Sequence, residues 1–332
     1  YDHYYGEAKF ADGKRTLNHS TAKFAWYEHT QHPPEHYGWV AEINPFDGNA
    51  KKLLSLGRFA HEGAMVVPTS DGRLAVYMGD DAKDQCLYKF LSSQPGSLEQ
   101  GVLYVANLEK KKWIPLLREK HDILKKNFKD QIELLVRTRE AAALVGGTKL
   151  DRPEDIKYDP LTKSIIVALT NNVTKGNYFG SLLRVKDKAG DPLSLEFESS
   201  TFIAGSPETG LACPDNLMFD PKGNLWVTND IAGLEMNKAP YTSFGNNGLF
   251  VVPAHGPNAG KVIQVASAPM DAELAGPFLS PDNKTIFLSV QHPGETSKSL
   301  DQLTSHWPRG GKSIPRSSVV AVSGPLLDKI LS

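Results

Sequence analysis

The sequence contains little cysteine, almost no net charge and no long apolar run. Of its 332 residues only two are cysteines, Cys86 and Cys213, which is too few to define a disulfide framework. Basic and acidic side chains number 37 and 38, so the global charge gives no indication of a nucleic-acid partner. No apolar run approaches the roughly 20 residues that a membrane-spanning helix needs. The chain is long enough to form one large β or α/β domain or two smaller ones.

Turn-forming residues are plentiful, with 28 glycines and 22 prolines. They punctuate a pattern of an acidic or polar start, an apolar stretch, a turn that often contains Asp-Pro or Asp-Gly, and a second apolar stretch. Four copies of this pattern start at His61, Arg152, Cys213 and Leu274. The equivalent positions Glu154, Asp215 and Gly276 follow one another at intervals of 61 residues. Glu62 precedes Glu154 by 92 residues, because an insertion intervenes.

Each copy is typical of a β-hairpin, because proline fixes the φ angle of a turn and glycine or asparagine accepts the positive φ that follows. Further strand pairs, such as "GLFVVP" with "GKVIQVAS", lie between the copies. Four strands per repeat at a period of roughly 40–60 residues are typical of a β-propeller, and a β-sandwich is the alternative. We predict an all-β chain in which residues 1–332 form a single β-propeller domain. Leu124, Phe128, Ile132 and Leu135 fall at helical spacing, which predicts a helical insertion over residues 117–147.

Acidic side chains occupy the same place in three of the four repeats, at Glu62, Glu154 and Asp215. The innermost strand of each propeller blade lines a central channel, so these carboxylates would converge near one end of it. Crowded carboxylates repel one another unless a cation neutralises them. Oxygen ligands without a histidine cluster suit Ca²⁺, Mg²⁺, Mn²⁺ or ferric iron better than zinc. The sequence therefore predicts metal ligands at these three positions, with solvated turn residues as the alternative.

Arg152 stands two residues before Glu154, at the front of an apolar run in "LDRPEDIKYDP". Alternate residues of a strand share one face of the sheet, so we expect both side chains on the channel side. The planar guanidinium of arginine suits a bidentate grip on phosphate. The alternative is a simple ion pair between Arg152 and a carboxylate.

Other polar residues near the strand ends are weaker candidates for the site. These are Asn216, His61, Asp80, Asp81, His292 and Glu295. Asn216 could supply an oxygen ligand or an orienting hydrogen bond. The two histidines could be ligands or proton donors, although a single histidine is more often a packed or surface residue. Turn capping is favoured for the residues that end the second strands, Asp80-Asp81, Asn171-Asn172 and Asn229-Asp230.

Several segments resemble the PhoX-type alkaline phosphatases and occur in the same order: "GWVAEINPFDG", "LGRFAHEGAMV", "VYMGDDAKDQCLYKF", "LDRPEDI", "CPDNLMFDPKGNLWV", "FLSPDNKTIFLSVQHPGE" and "SHWPRGG". The resemblance extends over about residues 38–322. It implies a six-bladed propeller, a bacterial enzyme that is periplasmic or secreted, and hydrolysis of small-molecule phosphate monoesters. It also implies a centre of ferric iron and calcium. Glu62, Glu154 and Asp215 would then be metal ligands, and Arg152 would contact the phosphate.

The sequence departs from the family's pattern at its start. In the family a Cys-Glu metal-ligand motif and a nearby lysine lie upstream of the region that matches Tyr1. Neither Cys86 nor Cys213 fits that motif. The opening residues "YDHYYGEAKF" resemble the interior of a domain rather than a signal peptide, so we expect a processed or truncated chain. If the upstream ligands are absent, the iron site is incomplete and a blade lacks strands.

Two other functions are compatible with the same residues. The segment "PDNLMFDPKGNLWVTND" on its own also resembles calcium-dependent, lactonase-like esterase propellers. The third interpretation is a metal-binding propeller without catalytic activity. We expect a monomer without a nucleic-acid partner or a membrane-spanning segment.

Overall fold

The computed structural model describes residues 7–11, 14–18, 20, 25–30 and 32–331. In chain order the strands are β1 (Glu7–Ala11), β2 (Lys14–Asn18), β3 (Ala41–Ile43), β4 (Ala50–Lys52), β5 (His61–Pro68), β6 (Leu74–Asp80), β7 (Lys83–Gln85), β8 (Leu87–Ser92), β9 (Gly101–Asn107), β10 (Lys112–Pro115), β11 (Leu150–Asp151), β12 (Pro153–Asp159), β13 (Ser164–Leu169), β14 (Ser181–Asp187), β15 (Phe197–Ala204), β16 (Pro214–Phe219), β17 (Leu225–Asn229), β18 (Gly248–Val252), β19 (Ile263–Ser267), β20 (Glu273–Leu279), β21 (Ile286–Gln291) and β22 (Ser318–Val322). The α-helices are α1 (Asp122–Asn127), α2 (Gln131–Val136), α3 (Thr138–Leu144) and α4 (Pro325–Leu331). Short 3₁₀ helices lie at Trp26–Glu28, Pro34–His36, Leu54–Leu56, Arg118–Lys120, Val173–Lys175 and Lys188–Gly190. Within these described ranges, the helices are too short or too polar to cross a membrane.

Most strands belong to four antiparallel sheets, which we call blades A to D. From the inner edge outward, the strand orders are β5-β6-β8-β9-β10 in blade A, β12-β13-β14-β15 in blade B, β16-β17-β18-β19 in blade C and β20-β21-β22 in blade D. The pairs β1–β2, β3–β4 and β7–β11 are separate. The predicted all-β, propeller-like arrangement is confirmed, with four blades in the part of the chain that the structure describes. The six blades implied by the resemblance stay a prediction, as does the single domain over residues 1–332.

The four repeats of the sequence are the inner hairpins of the four blades. Strand β12 lies beside both β5 and β16, and β16 lies beside β20. The first strand of each blade therefore faces the first strand of the next. Every residue of β13, "SIIVAL", is buried, because this strand has a neighbouring blade on each face. A continuous apolar run is what such a strand requires.

The hydrophobic core lies in layers between adjacent blades. Tyr77 of blade A packs with Ile165 of blade B in one such layer, and similar clusters join blade B to blade C and blade C to blade D. On the far face of blade D, the large side chains of Phe278, Phe287 and Val319 are exposed. The described residues therefore leave that face of blade D without a covering layer.

The insertion predicted over residues 117–147 is helical, but it is divided into three short helices, α1 to α3. Phe128 ends α1 in an extended conformation. The side chain of Asp130 then accepts a hydrogen bond from the backbone N–H of Glu133 (2.8 Å) and starts α2. Phe128 is buried against blade A, as the helical spacing predicted. The same prediction was wrong for Ile132, which is 56% exposed, because the break at Asp130 changes the phase of the helix.

Gly79 in β6 lies directly against the backbone of blade B. A Cβ atom at this position would stand 2.2 Å from the carbonyl oxygen of Pro153 and 2.6 Å from that of Glu154. The backbone of blade B cannot move aside for an added methyl group as the end of a flexible side chain can. We therefore expect Gly79→Ala to lower the free energy of unfolding by about 1–3 kcal/mol, the usual range for overpacking. Urea unfolding would measure the loss, with Ala321→Val at an exposed position of β22 as the control. Equal stability of G79A and the wild type would contradict this close approach.

Candidate active site at the bulged inner strands

Each inner strand carries a β-bulge near its first residue. Within each bulge, three residue-to-residue steps on the inner strand lie opposite two on the partner strand, which means that the inner strand has one extra residue there. The bulges lie at His61–Ala64, Pro153–Ile156, Pro214–Leu217 and Ala275–Phe278. Each bulge contains one of the four equivalent positions of the repeats, Glu62, Glu154, Asp215 and Gly276. Bulges redirect side chains and are frequent beside active sites.

Arg152 precedes the bulge of blade B and has a left-handed backbone, with φ of 55°. Its Nη2 forms an ion pair with Glu154, so the predicted proximity of these two side chains is present in the structure. Nε donates to Oδ1 of Asp81 from blade A (3.0 Å), and Nη1 lies 3.9 Å from Oδ2 of Asp230 from blade C. Burial opposes the charge on the guanidinium, but the surrounding carboxylates outweigh it and raise the pKa of Arg152.

Glu154 and Asp215 are buried carboxyl groups from neighbouring blades, 3% and 5% exposed. Burial raises the pKa of both groups, and they share a hydrogen bond. Arg152 partly offsets the effect at Glu154, whereas Glu273 raises the pKa of Asp215 further. Two such groups cannot both ionise in a buried site without a compensating positive charge. Arg152 compensates Glu154 but is shared with Asp81 and Asp230. A shared proton or a bound cation would therefore relieve the remaining repulsion between Glu154 and Asp215.

Glu62 extends the acidic cluster to blade A, and Asp230 adds a second acid from blade C. Glu62 keeps contact with solvent, but the protein atoms around its carboxyl, together with Asp155, raise its pKa to about 7. Burial and the nearby Glu273 raise the pKa of Asp230. The pKa values of acids in blades A, B and C are thus all raised, mainly by burial and further by neighbouring acids.

Blade D contributes a histidine flanked by two carboxylates. Nε2 of His292 lies 3.4 Å from Oε2 of Glu273, and Nδ1 lies 3.7 Å from Oε2 of Glu295. The hydrogen bond with Glu273 raises the pKa of His292 to about 9. Glu273 also acts on Asp215. His292 and Glu295 thus lie at the blade D edge of the cluster and join it through Glu273.

Asn216 lies beside the cluster with both ends of its amide engaged. Its oxygen accepts a hydrogen bond from the backbone N–H of Gly276 (2.5 Å). Its nitrogen donates to Oδ1 of Asp215 (2.8 Å). This geometry is the one expected for the orienting role of Asn216, and its role as a metal ligand stays a prediction.

The structure places His61 and Asp80, two of the weaker site candidates, away from the acidic cluster. The His61 ring stacks on Phe59 with a centroid distance of 3.6 Å, and Nε2 forms a hydrogen bond with the carbonyl oxygen of Gly57 (3.0 Å). Burial lowers the pKa of His61 to about 4, so this imidazole is a neutral core group. Asp80 is fully buried and accepts two hydrogen bonds from Arg139 (2.8 and 2.5 Å), which anchors α3 to blade A.

The sequence patterns miss Glu273 and assign Asp230 to turn capping. Glu273 is the first residue of β20, three residues before Gly276, so it falls outside the register of the other acids. Asp230 follows the second strand of blade C, as Asp81 follows the second strand of blade A. Both of these aspartates approach Arg152. Because the strand ends at Asp81 and Asp230 are equivalent in the repeat, the candidate position of Asp81 was the signal that could have identified Asp230.

The donors of the cluster are carboxylate oxygens, which suit a hard cation. Across the described residues, no three histidine, cysteine, aspartate or glutamate side chains already stand close enough to enclose a metal ion. The chemistry of the donors nevertheless fits such an ion. Asp215 is buried, and its charged neighbours Glu154 and Glu273 are both acids, so an added positive charge would relieve their repulsion.

The family profile described as alkaline phosphatase PhoX matches residues 2–294. This chain belongs to the PhoX family. The resemblance found in the sequence motifs is thereby confirmed. PhoX of Pseudomonas fluorescens, solved in complex with vanadate as a transition state analogue, is similar in structure with a TM-score of 0.81 and 30% sequence identity. The alignment covers 92% of this chain and 62% of that PhoX chain, so this chain spans less than two thirds of its relative.

More distant similarities exist to two putative 6-phosphogluconolactonases. Those from Bacteroides uniformis and Bacteroides fragilis share 15% and 14% identity, with TM-scores of 0.35 and 0.33. Each alignment covers 77% of this chain and 71% of the lactonase chain. These similarities are too weak to support a function. Among curated protein sequences, none matches this chain significantly.

Proposed function

We propose that this chain hydrolyses small-molecule phosphate monoesters by metal-assisted phosphoryl transfer in its central channel. The observation that carries the proposal is the position of Arg152, whose guanidinium lies between the buried Glu154 and two aspartates of the neighbouring blades. Membership of the PhoX family and similarity to a PhoX solved with a transition state analogue support it. We further propose that the enzyme is a monomer, and that it is periplasmic or secreted, the location that its family resemblance implies.

Glu62, Glu154 and Asp215 are the residues that we assign to hold the cation. Their oxygen donors favour calcium, and ferric iron is a second proposed metal. A cation at this position would draw charge from the phosphate oxygens and activate an oxygen nucleophile. The iron would depend on the Cys-Glu ligands that the family places upstream of the region matching Tyr1.

Arg152 is assigned to bind the phosphate group. The Nε–Nη2 edge of its guanidinium fork is occupied by Asp81 and Glu154, so Nη1 is the nitrogen that would donate to the phosphate oxygens. Asp81 holds this fork in place by accepting hydrogen bonds from Nε and Nη2 (3.0 and 3.3 Å). The guanidinium is partly exposed, so a substrate in the channel can reach it. A donor that is already fixed stabilises the negative charge of the transition state without reorganising during the reaction.

Elemental analysis of the purified chain, together with an aryl-phosphate assay, tests this function. We expect bound calcium and release of phosphate. A chelator should abolish turnover and added calcium should restore it, because chelation leaves the buried carboxylates uncompensated. Turnover that resists the chelator would contradict the role of the metal. Hydrolysis of lactones without release of phosphate would favour the lactonase-like alternative, and calcium binding without hydrolysis of any ester would favour the non-catalytic one.

A further inference from the structure

The bulges of blades B and C each send one polar side chain to the next blade. In blade B, Oδ2 of Asp155 accepts a hydrogen bond from the backbone N–H of Leu217 in blade C (2.9 Å). In blade C, Oδ1 of Asn216 accepts one from the backbone N–H of Gly276 in blade D (2.5 Å). Asp155 and Asn216 are both the second residue of their bulge. The bulge therefore turns its first residue to the channel and its second to the neighbouring blade.

The bond to blade D fixes the orientation of the Asn216 amide. A backbone N–H can only donate, so the oxygen of Asn216 must face Gly276. The nitrogen of Asn216 must then face Asp215, where it donates to Oδ1 (2.8 Å). Asp215 is thereby supplied with a donor at one oxygen, which leaves Oδ2 for the carboxylate cluster.

We infer that Asn216 is a positioning residue for Asp215: it uses blade D as a fixed support to hold one oxygen of Asp215, so that the other faces the channel. This inference rests on the proposed function for the chemical role of Asp215. It does not require Asn216 to touch the cation or the substrate.

A matched control lies at the other end of the same hairpin. The nitrogen of Asn224 donates to Oδ2 of Asp220 (2.8 Å), and its oxygen accepts from the backbone N–H of Ala254 (2.9 Å). Asn224 thus has the same pair of partners as Asn216, an aspartate oxygen and a backbone N–H, but it lies in the turn between β16 and β17, away from the acidic cluster. Asp220 is also held by Trp226 Nε1 (3.0 Å). An asparagine-to-aspartate change at either site keeps the acceptor, removes the donor and adds a like charge.

The test compares N216D with N224D in calcium affinity, aryl-phosphate kinetics, thermal unfolding and crystal structures without metal. We expect N216D to bind calcium about 10- to 100-fold more weakly, the usual effect of losing a group that supports a metal ligand. Its kcat should fall while its KM changes little, because Arg152 is untouched. In the crystal, the Asp215 side chain should rotate away from its present position. N224D should keep calcium affinity and kcat, even if its Tm falls as far.

Two outcomes would overturn the inference. One is an N216D protein with wild-type calcium affinity and an unmoved Asp215. The other is an equal loss of calcium affinity in N224D, which would show that reduced stability alone is responsible. If N216D does not fold, Asn216→Ala provides the same comparison without the added charge. If the wild-type chain neither binds calcium nor hydrolyses phosphate esters, the proposed function fails. The crystal structures then decide the inference: rotation of Asp215 supports it, and an unmoved Asp215 overturns it.

Discussion

Glu154→Gln should abolish the hydrolysis of aryl phosphates and the binding of calcium while the fold stays intact. Glutamine has nearly the shape of glutamate but carries no charge. Groups that merely support a metal ligand contribute about 10- to 100-fold to metal affinity or activity, so the loss of a ligand itself should exceed that range. Arg152 also loses an ion-pair partner, which would loosen its grip on the phosphate.

Thermal unfolding with and without calcium separates this effect from a general loss of stability. A cation that binds only the folded chain raises Tm by mass action, so the wild type should gain in Tm with calcium and E154Q should not. Without calcium, E154Q should be at least as stable as the wild type, because it removes one acid of a buried pair while Arg152 keeps the carboxylates of Asp81 and Asp230 as partners.

Asp159→Asn is the control for this comparison. Asp159 is a buried carboxylate at the other end of β12, where it caps a turn by accepting hydrogen bonds from Leu161 N (2.9 Å) and Thr162 Oγ1 (2.5 Å). D159N should lower Tm but keep the response to calcium. If E154Q gained in Tm with calcium as the wild type does, the assignment of Glu154 as a ligand would be wrong.

The sequence was sufficient to predict the inner hairpins and the register of three acids. Apolar stretches joined by turn residues specify a hairpin locally, and a repeat places equivalent residues at equivalent positions. The equal intervals from Glu154 to Asp215 and from Asp215 to Gly276 therefore correspond to equivalent bulges in blades B, C and D. The contact between Arg152 and Glu154 was likewise expected from their spacing.

The bulges themselves were not predicted, because one extra residue leaves no mark in the apolar pattern. Simple alternation would place Asp155 and Asn216 opposite their preceding acids, facing the core. The bulge instead directs them to the neighbouring blade, where each accepts a backbone hydrogen bond. The cost of burying Asp155 is offset by that bond and by Lys157, whose Nζ lies 2.6 Å from Oδ1.

Contacts between blades were also beyond the sequence patterns, since they join residues far apart in the chain. Asp81 and Asp230 reach Arg152 only because blades A, B and C stand side by side. Glu273 was missed because the acid of blade D precedes its bulge instead of occupying it. A repeat shows which residues are equivalent, but the distances between their side chains depend on how the blades pack.

A buried ion pair, between Lys89 of blade A and Asp187 of blade B, also joins these two blades. The Lys89 side chain is 0% exposed, and its Nζ lies 2.8 Å from Oδ2 of Asp187. Oδ1 of the same carboxylate accepts a hydrogen bond from Trp113 Nε1 (2.7 Å), and Oδ2 also accepts one from the Tyr77 hydroxyl. One carboxylate of blade B therefore satisfies three donors of blade A.

Asp187→Ala should lower the free energy of unfolding by about 3–5 kcal/mol, the range observed when one partner of a buried ion pair is removed. The loss is large because Lys89 would remain buried without its counter-charge, and the Trp113 and Tyr77 donors would lose their acceptor. Urea unfolding measures the loss.

Adding Lys89→Met to D187A should recover part of the lost stability, since no uncompensated charge is then left in the core. A D187A variant as stable as the wild type would show that water reaches this site. Failure of Lys89→Met to recover stability would show that the hydrogen bonds of Trp113 and Tyr77, rather than the charge of Lys89, hold blades A and B together.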